Sequence, residues 1–135
     1  MSKNWVKDIR KMHKKFGVKE KTIELNKELL TSYMKFRFRF LQEELNEGFK
    51  AVHNRDPEEV VDALIDLCVV AIGTLDAYDI DAHQAWDEVL KANMKKKVGI
   101  KESRPNPYGL PDLIKPKGWT APSHKGNHGI ISKIV

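Results

Sequence analysis

The sequence predicts an all-α protein, an antiparallel helical bundle with an irregular Pro/Gly-rich C-terminal segment, and three observations carry that prediction. Between Thr22 and Asp76 apolar residues recur at helical intervals, with Pro57 the only proline. Two helix starts are marked by Asp56 and Asp81 in capping positions. Five of the six prolines lie beyond Arg104, where regular helix is excluded. At 135 residues and 41% hydrophobic the chain is of single-domain size. A chain this small has much surface for its volume, so long helices with more than one apolar face predict a core completed by a second copy.

The first helix is expected over residues 4–16, where Trp5, Ile9, Met12 and Phe16 share a face and Gly17 follows as a stop. A long second helix is expected over residues 22–53, with apolar positions from Ile23 and Leu25 to Phe49 and Val52. The third starts with Asp56 as N-cap, Pro57 at the first helical position and Glu59 where a capping box wants an acid, and runs to about Asp76. Asp81, with Gln84 reaching back, caps a fourth over residues 82–97. No strand is expected. The division is 1–98 for the bundle and 99–135 for a basic extension that packs on it through Tyr108, Leu110, Leu113, Ile114 and Trp119.

The charged N-terminus has no signal-like apolar run, and residues 60–75 are short for a membrane span and contain Asp62 and Asp66. The expectation is a soluble, cytoplasmic protein without a membrane partner. Cys68 has no cysteine partner and no metal spacing, and reads as a buried small hydrophobe. The net charge of +5 is uneven: basic residues crowd the two ends and acids the middle, from Glu43 to Glu88. His83, His124 and His128 lie in contexts that support no nucleophile scheme, and His13 and His53 read as surface residues.

The acids of the middle carry the chemistry. Glu43, Glu44 and Glu47 fall within two turns of the second helix, with Glu44 and Glu47 on one face at i, i+3. Alone, such a cluster is an ordinary solvated face. Residues 60–75, however, are apolar on nearly every side, which marks a helix buried all round. Asp62 and Asp66 interrupt it one turn apart on one face, and buried carboxylates need basic partners, for which Arg37 and Arg39 are available, or a metal ion. A short turn at Asn54 and Arg55 folds the third helix back along the second, and Glu47 and Asp66 lie nine and ten residues either side of Asp56. Glu44, Glu47, Asp62 and Asp66 then converge as an all-oxygen set that selects hard cations such as magnesium or manganese. Glu58 and Glu59 suit capping and the helix dipole; with the helix rotated, Glu59 substitutes for Asp62.

The runs R-F-R-F-L-Q-E-E-L-N-E, E-E-V-V-D-A-L-I-D and D-A-L-I-D-L-C-V-V-A-I-G-T, then W-D-E-V-L-K-A-N-M-K-K and I-K-P-K-G-W-T-A-P, resemble the MazG-like all-alpha nucleoside triphosphate pyrophosphohydrolases, phage-carried members included, over residues 37–122. The superfamily also holds dimeric dUTPases and phosphoribosyl-ATP pyrophosphohydrolases. The resemblance implies a homodimer or homotetramer, magnesium held by the acids, and water attack at the α-phosphate with release of pyrophosphate. Glu44 and Glu47 match ligands of the first motif, with Glu43 its leading acid. The second motif departs: with Asp66 aligned to its aspartate, Ala63 stands where Glu is usual and Asp62 lies one residue earlier. Lys91, Asn93 and Lys96 match positions that approach the nucleotide, although Lys95 to Lys97 also suit a helix C-terminus. Lys115, Lys117 and Trp119 could close over substrate.

The expected function is metal-dependent cleavage of (d)NTP to (d)NMP and pyrophosphate, a house-cleaning of the nucleotide pool, in the host cytoplasm if phage-encoded. Two rivals stand beside it: a phosphoribosyl-ATP pyrophosphohydrolase, and a helical module whose basic ends grip nucleic acid. The last ranks lowest because it leaves Asp62 and Asp66 without a purpose.

Overall fold

The computed structural model describes residues 1–109 and 112–135. Five helices form. α1 (Trp5–Phe16) is capped by Asn4, whose side chain accepts from the Lys7 N–H at 2.9 Å, and ends at Gly17 in the left-handed conformation, φ 67°. The expected long helix from residue 22 divides into a short α2 (Val18–Ile23) and α3 (Lys27–His53). The reason is local: Asn26 accepts from the Leu29 N–H at 2.9 Å and starts α3 there. α4 (Pro57–Ala77) begins as its sequence dictates, with Asp56 accepting from the Glu59 N–H at 3.1 Å. α5 (Ala82–Met94) is three residues shorter than expected, and two three-residue strands, β1 (Lys97–Gly99) and β2 (Asp112–Ile114), pair antiparallel with Val98 opposite Leu113. No strand was expected, because three residues are too few to display alternation.

The chain forms two compact units, residues 1–82 with 126–135, and residues 83–125. In the first, α3 and α4 pack along one another, the chain reversing through Asn54 and Arg55, the latter at φ 56°, while α1 and α2 lie on α4. The core at one end of α4 is Leu30, Ala77, Tyr78 and Ile80, and the Tyr78 hydroxyl donates to the Leu30 carbonyl. The last residues return to this core. Asn127 clamps the Asp81 backbone, accepting from its N–H and donating to its carbonyl, each at 2.8 Å. The Ile130 N–H then donates to the Tyr78 carbonyl at 2.9 Å, and a 3-10 turn over Gly129–Lys133 lays Ile130, Ile131 and Ile134 on the core. Only glycine fits at residue 129: φ is 51°, and a Cβ there would stand 2.0 Å from the Tyr78 oxygen.

In the second unit α5 is followed by the β1–β2 ribbon and a turn in which the Trp119 N–H donates to the Pro116 carbonyl at 3.0 Å, with Gly118 at φ 77°. The Trp119 indole donates to the Ala92 carbonyl at 2.7 Å, an acceptor in the last turn of α5 that the Lys95 N–H reaches only at 3.3 Å. Of the residues expected to pack here, Trp119 and Ile114 are half-buried, Leu113 and Tyr108 are exposed, and Leu110, with Pro111, lies outside the described residues. No helix among the described residues is long and apolar enough to cross a membrane.

Candidate functional site

Glu43, Glu44 and Glu47 stand on α3, and Glu59, Asp62 and Asp66 on α4. Their exposures differ from expectation. Burial was expected at Asp62 and Asp66; instead Asp62 is exposed, Asp66 is half-buried, and the buried acid is Glu44, 8% exposed. The cause is that α4 is not covered on every side by this chain: Val61, Leu64 and Ile65 lie open. Cys68 is half-buried rather than buried.

Glu44 is the electrostatic centre of the group. Its Oε2 is buried with no hydrogen-bond partner. Burial, first of all, lifts its carboxyl above the usual range, and the charges of Glu47 and Asp66, a hydrogen bond with Glu47 and the charge of Asp62 lift it further. The fold therefore brings Glu44, Glu47, Asp62 and Asp66 into one field. Glu59 and Glu43 are exposed and are not among the charges acting on Glu44.

Neither arginine that the sequence offered as a basic partner is paired to this field. Arg37 donates from Nε to the Thr74 hydroxyl and from Nη2 to the Val70 carbonyl, both at 2.9 Å. Arg39 is exposed, and among the described residues no ion pair joins Lys, Arg or His to any of the four acids. Among the described residues no three His, Cys, Asp or Glu side chains stand close enough together to hold a metal ion as they are placed. The fit to a metal is one of chemistry. Carboxylate oxygens are the donors that hard divalent cations take; one of them, Glu44 Oε2, is buried and orphaned, and the charges of Glu47, Asp66 and Asp62 act on its carboxyl with no ion pair to offset them among the described residues.

A second charged group escaped the sequence reading. His13, expected at the surface, is 5% exposed and its Nδ1 lies 3.0 Å from Oδ2 of Asp76, itself 4% exposed; Arg10 Nε donates to the other oxygen at 3.4 Å. The pair ties α1 to α4 across Gly73, where a Cβ would meet Arg37 Nη2 at 2.9 Å and His13 Nε2 at 3.1 Å. The signal was present: His13 follows the buried Ile9 at i+4, on the inner face of α1.

The expected nucleotide contacts lie in the second unit. Lys91 is exposed, Asn93 is half-buried, and Lys96 is half-buried with its Nζ 5.3 Å from the centre of the Trp119 ring.

With this geometry in place, comparison with known families adds one finding. A family model described as phosphoribosyl-ATP pyrophosphohydrolase matches residues 9–93, a stretch that includes all six acids and Asn93. No curated protein matches the chain.

Proposed function

Because the chain belongs to the phosphoribosyl-ATP pyrophosphohydrolase family, within the MazG-like all-alpha pyrophosphohydrolase superfamily, we propose that it cleaves nucleoside triphosphates, ribo or deoxy, to the monophosphate and pyrophosphate and so clears the nucleotide pool. The observation that carries this reading is the buried, unpartnered Oε2 of Glu44, in the field of Glu47, Asp66 and Asp62 with no basic side chain paired to it. Glu44, Glu47, Asp62 and Asp66 would hold the ion, magnesium or manganese. When bound, it would draw phosphate oxygens and acidify a coordinated water.

The remaining chemistry belongs to the chain. Glu43, exposed on α3 beside Glu44, accepts the proton of the attacking water. The water oxygen bonds to the α-phosphorus, the bond from that phosphorus to the bridging oxygen breaks, and pyrophosphate leaves. Asp62 is assigned to the cluster ahead of Glu59, since the charge of Asp62 acts on Glu44 and that of Glu59 is not among the charges that do. Lys91, Asn93 and Lys96 contact the nucleotide, the two ammonium groups meeting its phosphates. A homodimer or homotetramer covers the open apolar side of α3 and α4, where Leu45, Phe49, Val52 and Leu64 line a groove.

The family description favours a second substrate, phosphoribosyl-ATP, in which the same type of bond is broken. Pyrophosphate release measured over standard and modified NTPs, dNTPs and phosphoribosyl-ATP, with and without magnesium, tests both. Release that needs metal and drops at least 100-fold in Asp66→Asn, about 3 kcal/mol of barrier, is expected. Metal-independent release, or a fully active Asp66→Asn, would overturn the reading.

A further inference from the structure

Arg37 crosses from α3 to α4, half-buried, and pairs with no carboxylate among the described residues. Its Nε donates to the Thr74 hydroxyl and its Nη2 to the Val70 carbonyl, both at 2.9 Å, while the Thr74 hydroxyl donates to that same carbonyl at 2.7 Å. The three bonds close on one another, a fit that needs the planar two-donor fork of arginine. Room for the guanidinium comes from Gly73, where a Cβ would stand 2.9 Å from Nη2. Seven residues along α3 from this clamp is Glu44, two turns on and on the same face; four residues before Val70 is Asp66, and four before that Asp62. Past the acids the two helices meet again at Gly48, where a Cβ would lie 3.6 Å from that of Ala63. The acids thus lie between a polar clamp and a close approach of the two helices.

The apolar contacts do not fix this register. Between Val60 and Leu75 α4 is apolar on most sides, and burial of apolar surface has no direction. The helix could slide along α3 by one turn, about 5.4 Å, with Val, Leu and Ile still against apolar neighbours. The clamp does not survive that slide. Thr74 is the only hydroxyl-bearing residue of α4, and a slip of one turn would put in its place Val70 or Tyr78, whose own hydroxyl is bound to the Leu30 carbonyl. The same slip would bring Asp62 or Val70 to where Asp66 now acts on Glu44. We propose that Arg37 is the positioning residue of the acid site: its two bonds set the register of α4 on α3, and with it which aspartates face Glu44 and Glu47. What the acids hold rests on the pyrophosphohydrolase reading; the register does not.

The test is calorimetric titration of manganese into the full chain and into Arg37→Met, which keeps an apolar stem and removes both donors. Losing the groups that orient a set of ligands costs about 10–100-fold in metal affinity, and a loss in that range is expected. Arg37→Lys and Thr74→Val should lose less, and they carry the test if Arg37→Met does not fold. Asp76→Ala, which breaks a buried pair outside the clamp, should keep the wild-type affinity. Gly48→Cys with Ala63→Cys, on a Cys68→Ser background, supplies an independent lock, because the Cβ spacing there suits a disulfide. Oxidising that pair should restore manganese affinity to Arg37→Met, and reducing it should withdraw the gain. Undiminished affinity in Arg37→Met, an equal loss in Asp76→Ala, or no recovery on oxidation would overturn the assignment. If the wild type takes up no manganese, the metal reading falls and the disulfide alone judges the register: slower closure with Arg37→Met than with Arg37 supports the clamp, and equal closure refutes it.

Discussion

Replacing Glu44 with Gln separates the chain's metal chemistry from its stability, because the two respond in opposite directions. Glutamine keeps the size of the side chain and removes the charge. In metal-free buffer at neutral pH the wild type keeps a buried, unpartnered carboxylate oxygen beside Glu47, Asp66 and Asp62. Removing that uncompensated charge should stabilise the fold by about 1–3 kcal/mol, roughly 3–5 °C in Tm for each kcal/mol in a chain of this size. Magnesium acts against that advantage. At a hundred times its Kd an ion that binds only the folded state adds about 2.7 kcal/mol, which the wild type gains and Glu44→Gln loses. The pH dependence has a definite sign. A carboxyl whose folded pKa is raised above the ordinary 4.5 holds more protons folded than unfolded between those two values. Its contribution to stability is therefore present in acid and is lost as pH rises through that interval. The difference in Tm between Glu44→Gln and wild type without metal should accordingly grow from acid toward neutral pH and then level. Differential scanning calorimetry with and without magnesium reads all of this. A variant less stable than wild type in metal-free neutral buffer, or one that magnesium stabilises as fully, would refute the reasoning.

Other parts of the structure give sharp expectations. Phe49 is 70% exposed on one copy and lines the groove with Leu45 and Leu64; Phe49→Asp should yield 15.5 kDa monomers with unchanged circular dichroism. If the wild type itself sediments as a single chain, the second copy is not part of the molecule. Asp76→Ala leaves His13 buried without its carboxylate and should cost about 3 kcal/mol in urea unfolding, while pyrophosphate release per folded molecule stays intact. Gly129→Ala places a Cβ against the Tyr78 carbonyl and should destabilise by about 2–4 kcal/mol; a smaller loss would mean that the last turn moves freely off the core.

The helices were legible because they are written in local signals: Asp56 and Pro57 start α4 where the sequence says, and of the acids read from spacing, Glu47, Asp66 and Asp62 are the ones whose charges act on Glu44. What depended on partners distant in the chain was not. Glu44 is buried and Asp62 is open because of which side of α4 this chain covers, and no pattern within one helix reports that. His13 finds its partner 63 residues away. The break before α3 was missed because the apolar spacing continues through Ile23 and Leu25, while Asn26 overrides it with a cap.

The Asp81–Asn127 clamp changes what counts as the end of this protein's core. Residues 83–125 begin and finish at neighbouring points, so they form a closed excursion whose length is only weakly constrained: doubling such a loop costs about 0.6 kcal/mol of closure entropy. Insertions and deletions among relatives should therefore gather inside it, and Asn127, Gly129 and Ile130 should tolerate none. A fragment cut where the match to the family model stops, at residue 93, would keep every acid of the site and yet lose the three isoleucines that close over Leu30 and Tyr78.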